Sequence, residues 1–218
     1  MFDASLIIFD LDGTLVDSVP DIATGVDRSL ADLGYAPAGD SRVREWVGNG
    51  SLKLMERALA AAGAEPALLA EAHAHFLRHY AECLDERSTL YPGVEEALEH
   101  LRQRELTLAV CTNKPARFVR PLLEKLGIAG YFEILLGGDE LPAKKPDPLP
   151  LLHLAERFAR RVEQCLMVGD SVNDVDAAHA AGMPVVAVSY GYNHGVDIRD
   201  CAPNLVLDNL AALPAWIR

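Results

Sequence analysis

No two of the four cysteines stand close in sequence. They fall at Cys83, Cys111, Cys165 and Cys201, with no C-x-x-C pair. That spacing argues against a zinc site or a disulfide framework. Cys111 and Cys165 sit inside apolar runs and are expected as small core residues. Basic residues are also few: 20 Lys and Arg face 32 Asp and Glu, a formal net charge of −12. A chain this acidic is not expected to bind nucleic acid or an anionic membrane, because those surfaces attract Lys and Arg. A small anionic substrate stays open, since a metal ion and a few cations reverse the field locally. No apolar run is long enough to span a bilayer. No basic segment followed by an apolar stretch marks a signal peptide. The expectation is a reducing, cytoplasmic setting, with the chain as a monomer or a homodimer. No repeat or low-complexity segment interrupts the 218 residues, of which 50% are hydrophobic. That is enough for one large domain, or for a domain plus a smaller one.

What the sequence does have is alternation. Residues 5–10 read as a strand. From Val16 to about Arg87 the pattern is helical, with Ile22, Val26, Leu30 and Leu33 on one face and Gly34 as a stop. Further helices are expected from near Ser41, over 51–62, and after Pro66. Beyond Tyr91-Pro92-Gly93, strands and helices alternate: helix 93–104, strand Leu106–Cys111, a helix to Leu126, strand Glu133–Leu136, helix 148–158, strand Cys165–Val168, helix 174–181 and strand Val185–Ser189. Pro121 is expected to delay or kink its helix. The pattern predicts an α/β fold, a Rossmann-like parallel sheet core with an inserted all-helical cap domain. The core takes residues 1–15 and 88–218, the cap 16–87.

In such sheets, sites form beyond the carboxyl ends of the strands. The polar residues gather there: Asp10 and Asp12 in "FDLDGTLVDS", Thr112-Asn113 after "LAVC", Lys145 in "KKPDP", and Asp170 with Asp174 in "VGDSVND". Several carboxylates at close range need a cation or a proton between them. Oxygen ligands with room for water suit Mg²⁺. A lysine and a threonine hydroxyl would then face a metal-bound anion, and phosphate fits. One aspartate can attack as a nucleophile while the other moves protons.

These four stretches, in this order, resemble the motifs of the haloacid dehalogenase-like hydrolases, and the helical insert resembles that family's cap. The resemblance assigns Asp10 as nucleophile, Asp12 as general acid/base, and Thr112 and Asn113 as ligands of the phosphoryl oxygens. It assigns Lys145, rather than Lys144, to charge neutralisation, because the family lysine directly precedes proline. Asp10, the Asp12 carbonyl and Asp170 would bind Mg²⁺, with Asp174 supporting them from behind. An acid at position 12 favours alkoxide over halide as leaving group, hence a phosphatase or phosphomutase. "VGNG" (47–50), "TNKP" (112–115) and "YGYNHG" (190–195) resemble the phosphoglycolate phosphatase branch, which hydrolyses 2-phosphoglycolate, a small anionic phosphomonoester. His194 departs from the tyrosine common there. Gly48, Asn49 and Gly50 are candidate substrate ligands, since a glycine loop brings backbone N–H groups close to an anion. Arg44 and Arg57 flank this loop as possible helpers.

Four alternatives compete. One is a phosphatase of another small sugar phosphate, and another is a β-phosphoglucomutase-like enzyme. A phosphonoacetaldehyde hydrolase would use Lys53, the one cap lysine, as a Schiff base. The last is a catalytically silent binding or regulatory relative. Asp17 and Ser18 are also candidates for capping the first cap helix, and Asp170 for capping the helix after it. His75 and His79 share a helical face without a third ligand in view, so a surface role is expected.

Overall fold

The computed structural model describes residues 1–218. Its centre is a six-stranded sheet in the order β5-β4-β1-β6-β7-β8, with every pair parallel. The strands are β1 (Leu6–Phe9), β4 (Thr107–Cys111), β5 (Ile134–Leu136), β6 (Cys165–Gly169), β7 (Val185–Val188) and β8 (Leu205–Leu207). β1, β6 and β7 are buried along their whole length. Helices on both faces explain this, and explain why these strands read as unbroken apolar runs. Alternate residues go to opposite faces. Ile7, Phe9, Val110 and Val168 join one apolar cluster, and Leu6, Ile8, Ala109 and Met167 join the other. The expected α/β class, with its Rossmann-like sheet and helical cap, is the class observed.

The insert after β1 holds four helices: α1 (Val19–Asp32), α2 (Asp40–Trp46), α3 (Ser51–Ala61) and α4 (Leu69–Glu82). α1 buries Ile22, Val26 and Leu30, as the period predicts, and Gly34 follows it at a left-handed φ of 82°. Two short strands, β2 (Val16–Asp17) and β3 (Thr89–Leu90), pair antiparallel where the chain leaves and re-enters the sheet layer. Ile22, Phe76 and Tyr80 of the insert belong to the same apolar cluster as Phe9 and Leu11, so the helices pack over the carboxyl end of the central strand β1.

The remaining helices are α5 (Val94–Gln103), α6 (Ala116–Lys125), α7 (Leu149–Arg157) and α8 (Val172–Ala181). α6 starts at Ala116 despite Pro121, which lies inside it. The expected late start does not occur. Arg117, whose carbonyl loses its partner to the proline, is exposed, and so is Pro121, so water can replace the missing N–H.

β1 lies between β4 and β6, and the connections from the strands diverge on either side of it. This is the sheet's switch point, where a crevice opens beyond the strand ends. Asp10 follows β1 directly.

Candidate active site

Three buried carboxylates, the partly exposed Asp12 and two buried ammoniums meet at this crevice. Lys145 Nζ lies 2.9 Å from Asp10 Oδ1, and it donates to Asp174 Oδ1 and to the Cys111 carbonyl, both at 2.6 Å. Asp10 Oδ1 lies off the hydrogen-bonding direction of this ammonium and has no other donor. Their contact is therefore an ion pair. Lys114 Nζ lies 2.9 and 3.2 Å from the two oxygens of Asp12. Ser18 Oγ donates to Asp12 Oδ1 at 2.6 Å. Asp170 accepts from Thr14 Oγ1 at 2.7 Å and from the Tyr192 N–H at 2.6 Å.

Burial sets the electrostatics. It pushes Asp10 up to about 6, with repulsion from Asp174 and Asp12 adding to the rise and Lys145 opposing it. Burial raises Asp170 well above the ordinary range, and Asp10 and Asp174 push the same way. For Lys145, burial works against the charge, but Asp10 and Asp174 outweigh it and the net direction is up. Four carboxylates against two ammoniums leave an excess of two negative charges, the charge that one divalent cation cancels. Carboxylate oxygens of Asp10, Asp170 and Asp174 lie within 4.8 Å of one another. The donor set is all oxygen, and the poorly satisfied oxygen belongs to Asp10. These residues fit a hard divalent cation.

Asp174 is the least available of the three. Lys145 occupies its Oδ1, while Oδ2 accepts from the N–H groups of Asp170 and Ser171 and from Ser171 Oγ. Asp174 thus braces the start of α8 and the loop that carries Asp170. Neither capping expectation holds. Asp170 does not cap α8, since its oxygens serve Thr14 and Tyr192. Ser18 sits at the N-cap of α1 without a capping bond, because its hydroxyl goes to Asp12. Asp17 pairs with Arg44 and accepts from the Tyr192 hydroxyl.

A cavity of about 50 Å³ lies against these groups. A water needs about 10–15 Å³ on this measure, so roughly three to five water-sized groups fit. Asp10, Asp12, Thr112, Asn113 and Lys145 line it from the sheet side. Gly48, Gly50, Phe76 and Tyr80 line it from the insert. Thr112 Oγ1 accepts from the Lys114 N–H at 3.2 Å, which leaves its own proton to donate. No protein acceptor takes the main-chain N–H of Leu11, Asp12 or Asn113, three donors suited to an anion.

Several candidates stand differently from their expected roles. The side-chain N–H groups of Asn113 go to the Gly48 and Lys145 carbonyls, both at 2.8 Å. Its free donor is the main-chain N–H. Asn49 does not line the cavity. Its Nδ2 donates to Asn173 Oδ1 at 3.0 Å, and its Oδ1 accepts from Arg57 at 2.7 Å. Lys144 donates to the Asn49 carbonyl at 2.7 Å. The 47–50 loop is thereby pinned to the strand-end loops. Gly50 adopts a φ of 86°, which a side chain would strain, whereas the contacts a Cβ would make, 2.7 Å to the flexible Lys144 Nζ and 3.3 Å to the Asn113 carbonyl, need only small shifts. Arg44 stacks over the Tyr192 ring at 4.7 Å and does not reach the cavity. His194 bonds the Glu45 carbonyl at 2.8 Å. Lys53 pairs with Glu56 at 2.8 Å, half exposed and away from the cavity, which removes the support for a Schiff base. Lys114 and Tyr80 were the residues missed. The "TNK" triplet and the inner face of α4 were visible in the sequence, but their meeting was not.

Such a crevice, at the switch point of a parallel sheet and under a helical lid, defines an α/β enzyme that handles small anions beside a divalent cation. The model of the haloacid dehalogenase-like hydrolases matches residues 4–182. The chain belongs to that family. It is 49% identical over 208 residues to a phosphoglycolate phosphatase of Nitrosococcus oceani, covering 94% of this chain and 92% of that one. It is 50% identical over 212 residues to a phosphoglycolate phosphatase of Pseudomonas putida, covering 95% and 78%. A crystal structure from Haemophilus somnus, described as a predicted phosphoglycolate phosphatase, superposes with a TM-score of 0.95 at 40% identity, covering 99% of each chain.

Proposed function

We propose that this protein is a Mg²⁺-dependent phosphatase that hydrolyses 2-phosphoglycolate to glycolate and phosphate. The observation that carries the reading is Asp10. Its carboxylate lines the cavity, ion-paired to Lys145, and no protein donor holds its second oxygen. An oxygen without a donor suits the part of the attacking nucleophile. Attack on phosphorus forms an aspartyl-phosphate and breaks the ester bond, and Asp12 gives its proton to the departing glycolate oxygen. Asp12 then takes a proton from water. The resulting nucleophile attacks the same phosphorus, releases phosphate and regenerates Asp10.

Thr112 Oγ1 and the Asn113 N–H bind phosphoryl oxygens, and Lys145 offsets their charge and fixes Asp10. Asp10, the Asp12 carbonyl and Asp170 would hold Mg²⁺, with Asp174 keeping the Asp170 loop in place. The cation supplies charge neutralisation for an anionic ester approaching an anionic nucleophile. Residues 16–87 serve as the cap, and the small cavity beneath them favours a short ester. Three buried thiols and no helix long and apolar enough to cross a membrane accord with a cytoplasmic location.

The test is kcat/KM for phosphate release in Mg²⁺, with 2-phosphoglycolate set against a panel of sugar phosphates. A lead of orders of magnitude for 2-phosphoglycolate supports the reading. A flat panel reduces it to small phosphomonoesters.

A further inference from the structure

A substrate with a carboxylate one carbon away from its ester oxygen sets a geometric condition. The group that recognises the carboxylate must lie beside the group that protonates the ester oxygen. A buried cation suits this role best, because water does not compete for it there. Among the residues lining the cavity, only Lys114 and Lys145 are cations. Lys145 is held between Asp10, Asp174 and the Cys111 carbonyl. Arg57 is spent on the Trp46 carbonyl and Asn49, and Arg44 on Asp17. Lys144 turns to the outside of the 47–50 loop.

Resting on the 2-phosphoglycolate reading, we propose that Lys114 is the residue that binds the substrate's carboxylate, with Tyr80 as its partner. Lys114 follows β4 and is 5% exposed. Its ammonium touches Asp12, the neighbour the geometry requires. It donates to the Tyr80 hydroxyl at 2.5 Å and lies 4.7 Å from the centre of that ring. Tyr80 therefore accepts from Lys114 and keeps its own proton for another acceptor. Asp12 takes two of the ammonium's N–H groups and Tyr80 the third. The longer bond, 3.2 Å to Asp12 Oδ2, is the one a substrate carboxylate would replace, and that N–H with this O–H makes a two-point site. Lys114 comes from the sheet and Tyr80 from α4, so the site exists only when the insert covers the crevice. An ester without a carboxylate forgoes both contacts.

The test compares 2-phosphoglycolate with 2-hydroxyethyl phosphate, its alcohol counterpart, as substrates of the full-length enzyme in Mg²⁺. The wild-type ratio of kcat/KM for the two esters reads the proposed function. The change in that ratio on substitution reads the role of Lys114. Lys114→Met is expected to lower the ratio by about 10- to 100-fold, the worth of a charged hydrogen bond, chiefly through KM for 2-phosphoglycolate. Tyr80→Phe keeps the ring and is expected to lower it by about 3- to 10-fold. Lys114→Arg, which retains a cation, restores part of the preference. If Lys114→Met fails to fold, Tyr80→Phe and Lys114→Arg carry the comparison. Equal losses on both esters would overturn the proposal and leave Lys114 as a counter-ion of Asp12, with the function intact. A wild-type enzyme that does not prefer 2-phosphoglycolate overturns the function, and the carboxylate site with it.

Discussion

Asp10 is buried and Asp12 nearly so, but their partners divide them. Asp10 has one ion pair and an oxygen facing the cavity, while Asp12 is held by Lys114 and Ser18. If Asp10 attacks and Asp12 shuttles protons, two substitutions separate the roles. Asp10→Asn abolishes phosphate release, and Lys145 keeps Asp174 as a partner, so the fold survives. Asp12→Asn lowers turnover of 2-phosphoglycolate by about 10²- to 10⁴-fold, the range of a lost acid/base. With p-nitrophenyl phosphate, whose leaving group needs no proton, Asp12→Asn should release a burst of about one nitrophenolate per active site before slowing, because only the hydrolytic half now lacks its base. Stopped-flow absorbance reads this directly. A linear, slow trace from the first turnover would remove Asp12 from the second step.

At the scale of elements, the loops after parallel strands must converge, so the positions of Asp10, Thr112, Lys145 and Asp170 at strand ends were legible from sequence. Apolar runs such as Leu6–Phe9 and Val185–Val188 announce buried strands for the same reason. β2, β3 and β8 were not legible. The first two are two residues each, too short to show a period, and β8 lies beyond Val185–Ser189, the last strand expected. The Lys114–Tyr80 contact depends on how the insert sits over the sheet, which no local pattern encodes. Nor does local pattern show why Gly191, after β7, has to be glycine. A Cβ there would lie 2.2 Å from Asp170 Cβ and 2.4 Å from its Oδ2. Gly191→Ala must therefore displace Asp170. The expected result is apparent Mg²⁺ affinity weakened by about 10- to 100-fold, as for other supports of a metal ligand, read from the Mg²⁺ dependence of the rate. Gly182→Ala is the control. Gly182 ends α8 at a φ of 71° with open space around it, so that change costs about 1 kcal/mol of stability and leaves Mg²⁺ affinity alone.

For the whole molecule, the acidic crevice is a cost that the fold carries until a cation arrives. Burial raises Asp10 from 3.8 to about 6, and it raises Asp170 well above its ordinary range. Without a cation, the folded state keeps protons on these groups at pH values where the unfolded chain has released them. Stability then falls as pH rises from about 4 through about 6, and Asp170 extends the loss upward. His73, lowered by burial, pulls weakly the other way near neutrality. Lys145, raised by its carboxylates, is charged throughout this range and adds no slope. A divalent cation binds the deprotonated carboxylates, so its stabilisation should grow with pH. Thermal melts of chelator-treated protein at pH 5 and pH 7.5, with and without Mg²⁺, test this. The Tm gained from Mg²⁺ should be larger at pH 7.5. Asp170→Asn removes one of the repelling charges, so the chelated variant should melt higher than chelated wild type at pH 7.5 and respond less to Mg²⁺. Equal Mg²⁺ gains at both pH values would mean that the strain of the crevice is relieved by something other than a cation.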